Sequence, residues 1–199
     1  MDRTQTRERI VAQATEEILR QGYSRTTMDS IAASLAMSKK TIYQLYPSKK
    51  DLLKSVLADL QAGIEQEIEE IVFRRGLQFR EKWEAVVECT ARQYSRFGPG
   101  FVDDLRQSDS EIFVLLDNFR TGLARKCFAV LAQEGIGEGV FRSDIDPRFL
   151  SEVYLAIVQA ILNPQALSVL AMNPSVAYRE VVKLLLDGIC LRAPTPSAP

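Results

Sequence analysis

The stretch from Ser38 to Gln44 carries side chains that could do chemistry at a surface. Ser38, Lys39, Lys40, Thr41, Tyr43 and Gln44 fall on the outward positions of a short helical run, and Ile42 falls inward. Ammonium groups suit phosphate oxygens as point charges, whereas Gln and Thr can reach base edges. A second short run lies just before it, opened by Thr27 and carrying Ile31, Ala32 and Leu35. The free N–H groups at the two helix starts, near Thr27 and near Ser38, also suit phosphate. Two short helices this close have the spacing of a helix-turn-helix, whose second helix can project its outer face into a major groove. The same pattern fits a small helical bundle with a solvated polar face.

Other chemistries are poorly supplied. The 199 residues include no His, which removes a Ser-His-Asp triad, a Cys-His pair and a His-ligated zinc site. Cys89, Cys127 and Cys190 are far apart and odd in number. They match neither a disulfide framework nor a CxxC metal knuckle, and they fit a reducing cytoplasm. On apolar helices, Cys89 and Cys127 read as inert core residues before oxidant sensors. No P-loop or Rossmann fingerprint is present. Carboxylate pairs such as Asp103-Asp104 need not converge on one substrate, and an exposed helix start explains them better than a cationic ligand does. An enzyme, a metal and a cofactor are therefore not expected.

The formal net charge of −1 appears to disfavour a nucleic-acid partner, but its distribution reverses that reading. Residues 1–50 hold nine Lys+Arg and five Asp+Glu, a local charge of +4, while the rest hold 16 bases and 21 acids, or −5. The bases gather where a groove-binding element would sit.

The elements that must position these side chains are read from apolar spacing. Nearly all periodicity is helical, with no internal repeat, which predicts an all-α chain of about nine helices. Ile10, Ala14 and Ile18 define a first helix over about 6–21, stopped by Gly22. Thr27 and Ser38 cap the two short helices, and Pro47 ends the second of them. Ser48 caps a long fourth helix whose stripe is Leu53, Leu57, Leu60, Ile64, Ile68 and Ile71. A further helix spans 79–97, and Phe97-Gly98-Pro99-Gly100 reads as a break. The capping-box form Ser108-Asp109-Ser110-Glu111 opens a long helix to about Gln133. Gly135, Gly137 and Gly139 read as a loop. Asp146-Pro147 and Asn173-Pro174 open two apolar helices, roughly 147–162 and 174–190, with a shorter piece from Pro164 between them. The Pro-rich tail 193–199 reads as disordered.

The run TTMDSIAASLAMSKKTIYQLYPSKKDLL resembles the N-terminal signature of the TetR family of bacterial transcriptional regulators. The adjacent Thr pair, the Ile-Ala pair, the Ser-Lys opening of the third helix, the Thr-Ile-Tyr core and the aromatic-Pro-Ser-Lys-Lys link match in order. The matching zone covers roughly residues 6–57. The resemblance implies a helix-turn-helix domain over 1–47 and a helical effector-binding and dimerisation domain over 48–192, with 48–73 as the connecting helix. It implies that Thr27 sets its helix start on a phosphate and that Lys39, Lys40, Thr41 and Gln44 face the groove. Tyr43 and Lys49 would grip phosphates, with Lys50 a weaker candidate. Three departures stand out: Ala36 where the family usually has Gly in the turn, Leu45 where it often has His, and Lys40 where it commonly has Gly. They bear on the operator sequence, not on the fold.

A two-fold dimer is expected from the last helices. Tyr154, Leu155, Ile157, Val158, Ile161 and Leu162 form one broad apolar face, and Val181, Val182, Leu184, Leu185, Leu186 and Ile189 form another, with Tyr154, Ile157, Val158, Ile161, Val182, Leu185, Leu186 and Ile189 as the candidate interface. Paired with a second copy, they would build a four-helix interface and a reader of pseudo-palindromic sites; core packing is the competing reading. Trp83, Tyr94, Phe97, Phe113 and Phe119 are the candidate lining of an apolar effector pocket, although core packing explains any one of them as well.

The N-terminus, MDRTQTRERI, lacks the apolar region of a secretory signal. Residues 153–178 are uncharged, but Asn163-Pro164 and Asn173-Pro174 would break a membrane span, so a buried or interface helix is the better reading. The expected function is a cytoplasmic, ligand-responsive repressor. It would bind a double-stranded DNA operator as a homodimer, and a small apolar or aromatic effector would release it. The alternative is a helical protein-interaction module that has lost operator binding.

Overall fold

The computed structural model describes residues 2–190, and of Gly98 and Pro99 only the backbone; the expected tail 193–199 lies outside the described residues. Nine helices are described: α1 (Arg3–Gln21), α2 (Met28–Ser34), α3 (Lys39–Leu45), α4 (Lys49–Val72), α5 (Phe79–Ser108), α6 (Ser110–Gly137), α7 (Pro147–Ile161), α8 (Pro164–Leu170) and α9 (Pro174–Ile189). No strand occurs among the described residues, beyond an isolated bridge between Phe141 and Cys190. The all-α reading holds.

The capping chemistry sets the starts. The Thr27 hydroxyl accepts from the Ser30 backbone N–H and the Ser30 hydroxyl accepts from the Thr27 N–H, a reciprocal box. Ser38 accepts from the Thr41 N–H, and Ser48 from the Asp51 N–H. Asp146, Asn163 and Asn173 each cap a helix whose first residue is Pro, the position where its missing N–H costs nothing.

Helices α5 and α6 differ in their bounds from the expected ones. α5 runs on through Phe97-Gly98-Pro99-Gly100. Phe101 and Leu105 beyond that point are buried, so packing of the apolar stripe outweighs the local helix-breaking tendency. α6 is capped by Asp109 rather than Ser108, with the Ile112 N–H donating to its carboxylate at 3.2 Å. It also continues past Gln133 to Gly137. Gly135 belongs inside it because a side chain there would meet the Phe79 and Phe141 rings at 3.0 Å.

The chain forms two compact units. The first comprises Met1–Glu65 and Arg96–Phe119, the second Gln66–Ser95 and Arg120–Pro199. In the first, Ile10, Ala14 and Ile18 of α1 meet Ile31 of α2, Ile42 of α3, and Leu52, Leu53 and Val56 of α4. Phe101, Leu105, Ile112 and Leu116 from α5 and α6 complete that core. Each Ile, Leu, Val or Phe among them contributes about 1.5–3 kcal/mol on full burial. In the second unit, Phe79, Trp83, Phe128 and Phe141 interlock at ring-centroid distances of 4.7–5.8 Å, and α7 packs on α9.

Among the described residues no single helix is long and apolar enough to cross a membrane. The uncharged segment breaks at Asn163, where α7 and α8 meet at a bend of 73°.

Candidate nucleic-acid interface

α3 is a short helix with one side anchored and the other open. Ile42 is fully buried, while Lys39, Lys40, Tyr43 and Gln44 are exposed and Thr41 is half-buried. Tyr43 keeps 46% of its surface exposed, unusual for a large aromatic ring and suited to contact with a partner. The Ser38 and Thr41 hydroxyls sit 2.8 Å apart. Lys39 pairs with Asp29 of α2 at 2.5 Å, both well exposed, so phosphate could displace the carboxylate cheaply.

The turn before α3 is tight. The Met37 N–H reaches the Ala32 carbonyl at 2.9 Å and the Ala36 N–H the Ala33 carbonyl at 3.1 Å. Ala36 adopts φ +49°, the left-handed conformation that favours glycine. The departure noted in the sequence is therefore a strained residue in the turn.

Three contacts hold the head in register, and sequence reasoning missed the residues that make them. Glu17 of α1 is buried and accepts from Ser30 at 2.7 Å, Ser34 at 2.9 Å and Gln13 at 3.3 Å. Arg7 donates to the Leu45 carbonyl at 3.2 Å and lies over the Tyr46 ring, fixing the end of α3. Asp104 of α5 accepts from the Ser24 N–H at 3.0 Å in the α1–α2 turn. Gly22 is needed there, since its φ is +91° and a Cβ would lie 2.8 Å from the Asp104 carboxylate. The only sequence signal was a charge of the right kind on α1 and α5; the pairings, 80 residues apart in the last case, carry none.

The flanking lysines behave differently from each other. Lys49 lies 4.2 Å over the Tyr23 ring and donates to the Ser24 carbonyl at 3.4 Å. Burial pulls its pKa down, and Asp104 partly restores it. Lys50 is committed inside the unit, to Glu111 at 2.7 Å and Asp109 at 3.2 Å. The hydrogen bond to Glu111 leads the upward shift of its pKa. Thr27 spends its hydroxyl on the cap of α2.

The aromatic residues picked for an effector are divided between the two units. Trp83 and Tyr94 lie in the second unit; Phe97, Phe113 and Phe119 lie in the first. Phe97 packs on Phe101, and Phe113 lies under Arg106. Of the residues picked for a dimer interface, Val158, Val182 and Ile189 are buried within the chain itself, which leaves them little surface to offer a second copy. The hydroxyls of Tyr154 and Tyr178 meet at 3.2 Å. Ile157, Ile161, Leu185 and Leu186 are half-buried. Leu184, and Phe149, which the sequence reading did not single out, are the large apolar residues that α9 and α7 expose most, at 72% and 65%. The broad apolar faces hid this, because both faces of these helices are apolar and periodicity alone cannot say which is covered.

A three-helix head with an open polar face on its last helix is the architecture of a helix-turn-helix regulator. Residues 10–56 match the family model described as bacterial regulatory proteins, tetR family, and the chain is a DNA-binding transcriptional regulator of the TetR family. It is 24% identical to the uncharacterized HTH-type transcriptional regulator YvaF of Bacillus subtilis over 182 residues, covering 91% of this chain and 94% of that protein. It is 29% identical to the DNA-binding transcriptional repressor TetR of Mycobacteroides abscessus over 152 residues, 75% of this chain and 77% of that one. The fold is similar to that of Escherichia coli NemR in its reduced form, with a TM-score of 0.74 at 13% identity over 96% of this chain and 100% of that one.

Proposed function

We propose that the protein is a ligand-responsive, cytoplasmic repressor that binds a pseudo-palindromic operator as a homodimer and leaves it when a small apolar or aromatic effector binds. The observation that carries this reading is the exposed face of α3, where Lys40, Tyr43 and Gln44 point away from the buried Ile42. In this reading Gln44, Thr41 and Lys40 meet the major groove while Tyr43, Lys39 and Lys49 meet phosphates. Lys50 contributes to the head's rigidity instead, through Asp109 and Glu111.

The homodimer is supported by the exposed Leu184 and Phe149, which a second copy would cover. The effector acts only if its affinity differs between the operator-bound and free states. The reading assigns no catalytic step. A mobility-shift assay on the DNA upstream of the protein's own gene tests it. A discrete complex that resists nonspecific competitor DNA is expected, and its absence on that segment and on a randomised operator pool contradicts the reading.

A further inference from the structure

We propose that Tyr94, Arg120, Tyr154 and Tyr178 form the polar end of an effector site, and that this site takes a small monocarboxylate with an aromatic body. The inference rests on the reading of the chain as ligand-responsive and adds the chemical class of the ligand.

The four side chains come from four helices, α5, α6, α7 and α9, all within the second unit. The Tyr154 and Tyr178 hydroxyls are 3.2 Å apart. The Tyr94 and Tyr178 rings lie 5.2 Å apart. Arg120 donates to the Tyr94 hydroxyl at 3.4 Å, with its guanidinium 5.7 Å from that ring's centre. Every member brings a proton, and the only acceptors are hydroxyl oxygens that carry protons of their own.

The neighbouring arginines show what is unusual here. Arg92, Arg125 and Arg179, on the same helices, are each held by a glutamate: Glu67, Glu152 and Glu88 respectively. Arg120 is half-buried and is in no ion pair among the described residues. The Arg120 charge lowers the Tyr154 pKa against the burial that raises it. Burial pushes both phenols upward, so they stay protonated donors at neutral pH. A half-buried guanidinium among donors, unanswered by the protein's own acids, is the complement of a carboxylate.

The apolar side continues from the same point. Phe128 stacks on Tyr154 at 5.5 Å and meets Trp83 edge-on at 5.8 Å. The Trp83 indole N–H is buried with no partner, a further unanswered donor; Gln93 Oε1 is the other buried side-chain atom without one among the described residues. An aromatic acid would set its carboxylate on Arg120 and the tyrosine hydroxyls and its ring toward Phe128 and Trp83.

Trp83 is the one tryptophan in the sequence, so intrinsic fluorescence reports on this site without DNA. The full chain is titrated with benzoate, phenylacetate and 3-phenylpropionate, and in parallel with their primary amides. At least one acid should give a saturable change, with its amide at least tenfold weaker. Arg120→Gln should weaken the acid at least tenfold, and Arg125→Gln should leave it unchanged. Circular-dichroism melting checks each variant; should Arg120→Gln fail to fold, Tyr94→Phe, which keeps the ring and removes one donor, carries the same expectation with a smaller loss. No saturable change with any acid, equal binding of acid and amide, or indifference to the Arg120 and Tyr94 variants overturns the proposal. A chain that shifts its operator but fails these titrations refutes the ligand class alone; one that binds acids but no operator refutes the repressor reading alone.

Discussion

Asp104 of α5 accepts the backbone N–H of Ser24 at 3.0 Å, tying the α1–α2 turn to a helix from the far half of the sequence. Burial alone would raise its pKa, but the bonds from Ser24 and Ser108 outweigh that and hold the carboxyl below its ordinary 3.8. A carboxylate whose folded pKa is lowered stabilises the fold above the ordinary value and loses that contribution as pH falls through the folded one. Asp104→Asn should therefore cost about 1 kcal/mol near neutral pH. The gap in Tm from wild type should narrow below about pH 4. Melting curves at pH 7 and pH 3 check this, and a gap of equal size at both contradicts it.

Ala36 sits at φ +49° in the turn before α3. Glycine relieves the steric cost of that conformation but adds entropy to the unfolded chain. The net effect of Ala36→Gly should be a gain of about 0.5–1 kcal/mol with operator contacts unaltered. Urea unfolding followed by circular dichroism measures it. A loss of stability would mean the turn is not strained.

Glu17 is a buried carboxylate that gathers Ser30, Ser34 and Gln13. Glu17→Ala removes the carboxylate that ties α1 to Ser30 and Ser34 of α2, although Ser30 keeps the Thr27 carbonyl as acceptor, and should cost about 1 kcal/mol. Glu17→Gln keeps an acceptor and should cost less. Hydrogen exchange at α2 amides should rise more in the Ala variant than in the Gln one; the reverse order would contradict the assigned role.

The readability of this fold in the sequence follows the range of each interaction. Thr27, Ser38, Ser48, Asp146 and Asn173 announce helix starts because a cap acts within three residues. The open face of α3 was legible for the same reason, since Ile42 and its neighbours differ in one helical turn. Glu17, Arg7 and Asp104 were not, because their partners are distant in sequence and a charge on a helix face looks solvated until its partner is seen. Pro99 and Gly135 misled in the other direction. Their local tendency to break a helix was overridden by the burial of Phe101 and Leu105 and by the fit of two rings against Gly135. Val158, Val182 and Ile189 read as interface because they are apolar, yet the chain buries them itself.

Leu184 projects from α9 with 72% of its surface exposed. If a second copy covers it, Leu184→Glu places a charge in an apolar contact and should shift the dimer toward monomer by at least tenfold in dissociation constant. Sedimentation equilibrium reads the change. A wild-type chain that stays monomeric at tens of micromolar, or a variant with unchanged association, contradicts the placement of the interface.

The central claim is that α3 and the start of α4 meet DNA phosphates. Fluorescence anisotropy of operator binding from about 50 to 200 mM salt measures the number of phosphates neutralised through the slope of log K against log salt. Lys49→Ala should lower the magnitude of that slope by about one per head engaged. Tyr43→Ala should weaken binding broadly across sequences, while Lys50→Ala should change the slope little, its charge being held by Asp109 and Glu111. A slope unchanged in Lys49→Ala, with affinity equal to wild type at every salt concentration, would contradict the account.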